Sequence, residues 1–135
     1  MKNGSILIIS NDEKTGNAIS DKVKLLRDCD SIQVVTYIEA ISVLNSTQPS
    51  LIMVYCANSE SIGIVKEIRA LKSLNNVPIM FVMDSLDEDS LLYAFDNGID
   101  DFFFLNDSDS VILMRILLTL RKSLLYKKSE VYEDT

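Results

Sequence analysis

The feature that most constrains this chain is an alternation, repeated five times, between short β-branched apolar runs and longer stretches with helical spacing. The apolar runs are Ile6–Ser10, Ile32–Thr36, Leu51–Cys56, Pro78–Met83 and Asp101–Leu105. Apolar residues on successive positions are the mark of strands buried on both faces. Between the runs, Ile19, Val23 and Leu26 fall on one helical face, as do Ala40 and Leu44, then Val65, Ile68 and Leu71, then Leu91 and Phe95. Ile112, Ile116, Leu120 and Leu124 carry the same period through the last segment. Turn signals separate the units at Gln48-Pro49, at Asn75-Asn76 ahead of Val77-Pro78, and at Asn97-Gly98. Strand and helix repeating in this way require parallel strands joined by right-handed crossovers. The expected fold class is therefore α/β: a doubly wound, five-stranded parallel sheet flanked by five helices. In such sheets the functional crevice lies at the C-terminal strand edge, where strand order reverses.

Composition narrows the function. At 135 residues the chain suits one core. Its longest apolar runs fall far short of the roughly 20 residues of a membrane span, so no membrane is expected and a cytoplasmic location follows. A formal charge of −7 argues against nucleic acid, which is held by clustered cations. The basic residues Arg115, Arg121, Lys122, Lys127 and Lys128 are strung along one helix and read as its solvated face. The absence of histidine removes the usual general base and the commonest zinc ligand. Cys29 and Cys56 read as two separate reduced thiols.

Five stretches in order resemble a known family. Ile6-Leu7-Ile8-Ile9-Ser10-Asn11-Asp12 resembles an opening strand that ends in paired aspartates, and Pro49-Ser50-Leu51-Ile52-Met53-Val54-Tyr55 resembles P-D-L-I-L-L-D. Gly63 falls where a glycine follows that loop. Val77-Pro78-Ile79-Met80-Phe81-Val82-Met83 resembles a strand ending in Thr or Ser. Gly98-Ile99-Asp100-Asp101-Phe102 resembles G-A-D-D-Y and leads to Leu105-Asn106 in place of Lys-Pro. Over roughly residues 5–125 the chain resembles the response-regulator receiver (CheY-like) domains, which implies strand order 2-1-3-4-5 and a role in two-component signal transduction. In that family carboxylates hold Mg²⁺, an aspartate accepts the phosphoryl group, and a hydroxyl and a lysine then bind the phosphoryl oxygens.

The chain departs from the family at each of those positions. Ser10 and Asn11 replace the acidic pair, Tyr55 the nucleophile, Met83 the hydroxyl and Leu105 the lysine. The resemblance thus implies a degenerate receiver: no catalytic residue, no bound Mg²⁺, and a nearly neutral, self-packed crevice in a more stable, less switchable domain. Asp12 and Asp84 remain as crevice acids, Asp12 in a solvated or helix-capping role and Asp84 just beyond the fourth strand. Tyr55 is expected to be an aromatic plug whose hydroxyl finds a polar partner or water.

Without phosphate, the resemblance points to protein contacts through the fourth helix, fifth strand and fifth helix. That face carries Phe95, Phe102 and Phe104, and at least two of the three consecutive phenylalanines 102–104 are expected to be core. Ser108 to about Tyr132 reads as one helix of roughly 35 Å, longer than a receiver's closing helix. The excess over 126–135 is expected to be a linker able to pair with another copy or to lead into an output domain. The closing Glu133-Asp134-Thr135 resembles the approach to GGDEF diguanylate cyclase domains. Two other readings are a receiver governed by a small ligand, or by modification at Ser10 or Tyr55, and a small flavodoxin-like enzyme. The second lacks a Gly-rich phosphate loop after the first strand.

Overall fold

A computed structural model describes residues 4–27, 29–58 and 60–133, with side chains described through Lys122. Five strands, β1 (Gly4–Ile9), β2 (Cys29–Val35), β3 (Leu51–Tyr55), β4 (Ile79–Met83) and β5 (Asp101–Phe104), alternate with five helices. The helices are α1 (Glu13–Val23), α2 (Tyr37–Ser46), α3 (Glu60–Ala70), α4 (Glu88–Asp96) and α5 (Asp109–Glu133). All strand pairings are parallel, in the order β2-β1-β3-β4-β5. Strand order reverses between β1 and β3, so the crevice opens beyond Ile9 and Tyr55.

Side chains along the central strands alternate between two separate cores. Leu7, Ile9, Ile52, Val54, Ile79, Phe81 and Met83 face α2, α3 and α4. Ile6, Ile8, Leu51, Met53, Met80, Val82 and Phe103 face α1 and α5. Both faces of β1, β3 and β4 are covered, which is why those runs show no polar alternation. The edge strand β2 begins at Cys29, ahead of the expected Ile32, with Asp30 and Ser31 exposed, and within the expected run Gln33 is exposed rather than buried. An edge strand has a neighbour on one side only, and polar residues there also discourage strand addition.

Local chemistry sets the helix ends. Thr36 and Glu39 form a capping box at the start of α2, and the Asp87 side chain accepts from the backbone N–H of Ser90 at the start of α4. α4 closes at Asn97, followed by Gly98 at φ 114°, a left-handed backbone that suits glycine. A short 3-10 turn, Lys72–Leu74, joins α3 to β4 and carries no signature in the apolar spacing. In α4, Leu91 packs half-buried against the core as expected and Ala94 is buried, while Phe95 is 39% exposed, so the apolar face runs through Leu91 and Ala94 and leaves Phe95 outside it. Backbone helix continues through the expected boundary at 125/126 as far as Glu133. The side chain of Leu124, and Asp134 and Thr135 of the closing tripeptide, lie outside the described residues. No helix among the described residues is long and apolar enough to cross a membrane.

Candidate functional site

The C-terminal ends of β1 and β3, with the start of α2, enclose a cleft of about 260 Å³ lined by Asn11, Asp12, Tyr37, Tyr55, Ala57 and Asn58. Each polar side chain lining it makes at least one hydrogen bond. Ser10 is buried, and its hydroxyl donates to the carbonyl of Asp12 at 2.8 Å while accepting from the Asp12 N–H at 3.1 Å. The Asn11 Oδ1 accepts from the backbone N–H of Tyr37 at 2.9 Å, so its side chain ties β1 to the first turn of α2. Asp12 occupies the N-cap position of α1 yet makes no side-chain cap. Its carboxylate accepts from the Thr15 hydroxyl and borders the cleft.

Tyr55 ends β3 half-buried, and its hydroxyl donates to the Asp84 carboxylate just past β4. That bond, helped by burial, holds the phenol proton and pushes its pKa up to about 12. The expected polar partner of Tyr55 is thus one of the two crevice acids. Asp12 is the one carboxylate lining the cleft among the described residues, no lysine or arginine lines it, and Asp84 lies outside that lining, taken by the Tyr55 hydroxyl.

The remaining positions do not gather here. Met83 is buried in the core beneath α3 and α4, and Leu105 packs half-buried toward α1 and α5. Phe103 is fully buried in that second core. Phe102 and Phe104 lie on the opposite face and meet edge-on at 5.7 Å, and Phe95 meets Phe102 edge-on at 6.2 Å. The Arg115 guanidinium sits 5.1 Å from the Phe102 ring centre and pairs with Asp101 at 3.1 Å.

Tyr37 and Ser61 are additions that the strand motifs did not reveal. The Tyr37 hydroxyl donates to the carbonyl of Tyr55 at 2.7 Å and lies 2.6 Å from the hydroxyl of buried Ser61. Together they pin the loop that leaves β3. Burial raises the Tyr37 pKa, which keeps the phenol a donor. The signal was present in Thr36-x-x-Glu39, which places Tyr37 at the first helical position beside the crevice. Cys29 and Cys56 are free thiols, and burial pushes the pKa of each up.

No family model and no curated protein matches the sequence. Solved structures do match. The signal receiver domain of a signal-transduction histidine kinase from Syntrophus aciditrophicus superimposes with a TM-score of 0.73 at 19% identity, covering 88% of this chain and 91% of that one. A response regulator from Thermotoga maritima gives 0.76 at 15% identity, covering 90% and 99%. The fold is that of a signal receiver domain. The receiver domain of a Pseudomonas aeruginosa sensor histidine kinase, similar at a TM-score of 0.73 and 15% identity over 86% of this chain and 96% of that one, has a magnesium ion coordinated in its active-site cleft. In this chain the C-terminal ends of β1 and β3 carry Asn11, Asp12 and Tyr55. Among its described residues no group of three or more His, Cys, Asp or Glu side chains stands close enough to hold a metal ion.

Proposed function

We propose that this receiver fold works without phosphotransfer, as a protein-interaction and pairing module in two-component-type signalling. The observation that carries the reading is the bond from Tyr55, at the phosphoacceptor position of the resemblance, to Asp84. It places a neutral phenol where a nucleophilic carboxylate would be needed and occupies an acid that could have met a cation. The other oxygens fit Mg²⁺ no better: Ser10 and Asn11 serve backbone N–H groups, and Asp12 takes the Thr15 hydroxyl. A hard cation that wants six oxygens, including one or two free carboxylates, finds no such set. The domain then has no catalytic role and needs no cofactor. Its partners are proteins: a second copy through α4, β5 and α5, or an output domain reached through α5, such as a GGDEF diguanylate cyclase. A cytoplasmic location accords with this reading.

Amide NMR spectra recorded with Mg²⁺, and then with Mg²⁺ and beryllofluoride, test the proposal. The expected result is no saturable change. Saturable shifts centred on Tyr55 and Phe102 would overturn it and favour a receiver that still takes phosphate or another crevice ligand.

A further inference from the structure

A second cleft, of about 230 Å³, opens at the opposite edge of the sheet, between the residues ahead of β4 and the middle of α5. Its rear wall is the ion pair of Arg69 and Asp100 at 3.0 Å. Val77 and Pro78 give it an apolar floor, and Thr119 and Lys122 reach it from one turn of α5. Arg69 is spent on backbone carbonyls and Asp100, whereas the α5 residues are not committed. Thr119 is only 4% exposed, yet its hydroxyl makes no hydrogen bond among the described residues. Lys122 forms no ion pair there either. Asp100 uses Oδ2 for both Arg69 and the Ile79 N–H, and among the described residues Oδ1 takes no donor.

The Thr119 hydroxyl, which has no partner among the described residues, is open to a ligand group or water. The cleft is lined by a cation, Lys122, and a carboxylate, Asp100, that do not pair with each other, and by apolar Val77 and Pro78. It is smaller than the roughly 300–1,000 Å³ of pockets for drug-sized molecules. We propose that it binds a small zwitterion, a free α-amino acid with an apolar side chain. The ligand carboxylate meets the Lys122 ammonium and Thr119 hydroxyl, its ammonium meets Asp100 Oδ1, and its side chain lies over Val77 and Pro78. Such a ligand ties α5 to the Arg69–Asp100 pair, and the inference stands independently of how the crevice at the other edge works.

Three probes of matched shape test it by amide NMR titration: L-leucine, 4-methylpentanoate, which keeps only the anion, and 3-methylbutylamine, which keeps only the cation. L-leucine is expected to give saturable shifts at Asn75, Asn76, Thr119 and Lys122 and none at Asn11 or Tyr55. Either single-charge probe should bind about tenfold more weakly, the loss expected for one charge-assisted contact. Lys122→Gln and the nearly isosteric Thr119→Val should each weaken L-leucine by a similar factor while the rest of the spectrum is unchanged. Equal binding of all three probes would reduce the cleft to an apolar depression. Absence of saturable shifts with L-leucine at millimolar concentration would also overturn the proposal.

Discussion

Replacing Arg69 with methionine removes a guanidinium while keeping an unbranched stem along the same path. Arg69 donates to the carbonyls of Leu74, Val77 and Gly98 at 2.9 Å each and to Asp100 at 3.0 Å, and its side chain is only 19% exposed. One side chain therefore satisfies carbonyls from the 3-10 turn, the approach to β4 and the end of α4. A hydrogen bond to a charged group contributes about 1.5–3 kcal/mol net. Multiplying by four overcounts, because the bonds share one cation and the adjoining cleft admits water. Two bonds left effectively unmet, together with an Asp100 that loses its cation, give a cost of about 3–4 kcal/mol. Against total stabilities of roughly 5–15 kcal/mol this is a large fraction. Equilibrium urea unfolding followed by far-ultraviolet circular dichroism measures it. With a urea m-value of about 2 kcal/mol/M, the midpoint should fall by roughly 1.5–2 M at constant slope. Arg69→Lys should recover little, since an ammonium cannot span a fork of carbonyls. A loss below about 1 kcal/mol, the range of an exposed ion pair, would refute the reasoning.

The Tyr55 phenol, read as the difference in ultraviolet titration between the protein and Tyr55→Phe, should ionise near pH 12. Asp84→Asn should return it toward the ordinary value of 10.0. Because the folded pKa lies above the unfolded one, the unfolded chain loses this proton first. The stabilising contribution is complete below pH 10 and is lost as pH rises toward 12. On α5, Met114, Leu117 and Leu118 are 53%, 46% and 50% exposed at helical spacing. Light scattering should show concentration-dependent pairing that Leu118→Glu weakens by about tenfold or more; a strict monomer at high concentration would contradict pairing through α5.

The alternation of periods was enough to locate the elements, because strands buried between two helical layers leave uninterrupted apolar runs. Observed strand ends lie close to those expected, and the resemblance supplied the order in which the strands pair. Less visible were contacts whose partner is backbone. Arg69 at the end of an amphipathic helix reads as an ordinary surface cation, yet its targets are carbonyls, which look alike in every sequence. Tyr37 was hidden for the same reason: its hydroxyl serves the carbonyl of Tyr55. At the crevice, the sequence placed Asp84 nearby and foresaw a polar partner for Tyr55. That the two would join each other depended on the length of the turn after β4. Phe95 shows the limit of spacing alone, since α4 presses small Ala94 against the sheet and turns the larger ring outward.

The sheet also has a consequence for how the domain tolerates change. Neighbouring residues of one strand, such as Met53 and Val54, belong to different interiors, one roofed by α1 and α5 and the other by α2, α3 and α4. The backbone of β3 stands between them as a partition. A volume lost on one side must be refilled from that side, so the two compartments are free to drift, or to be redesigned, one at a time. Only along the two rims, where Asn11 reaches across to α2 and Arg69 gathers the ends of several segments, must substitutions arrive in concert.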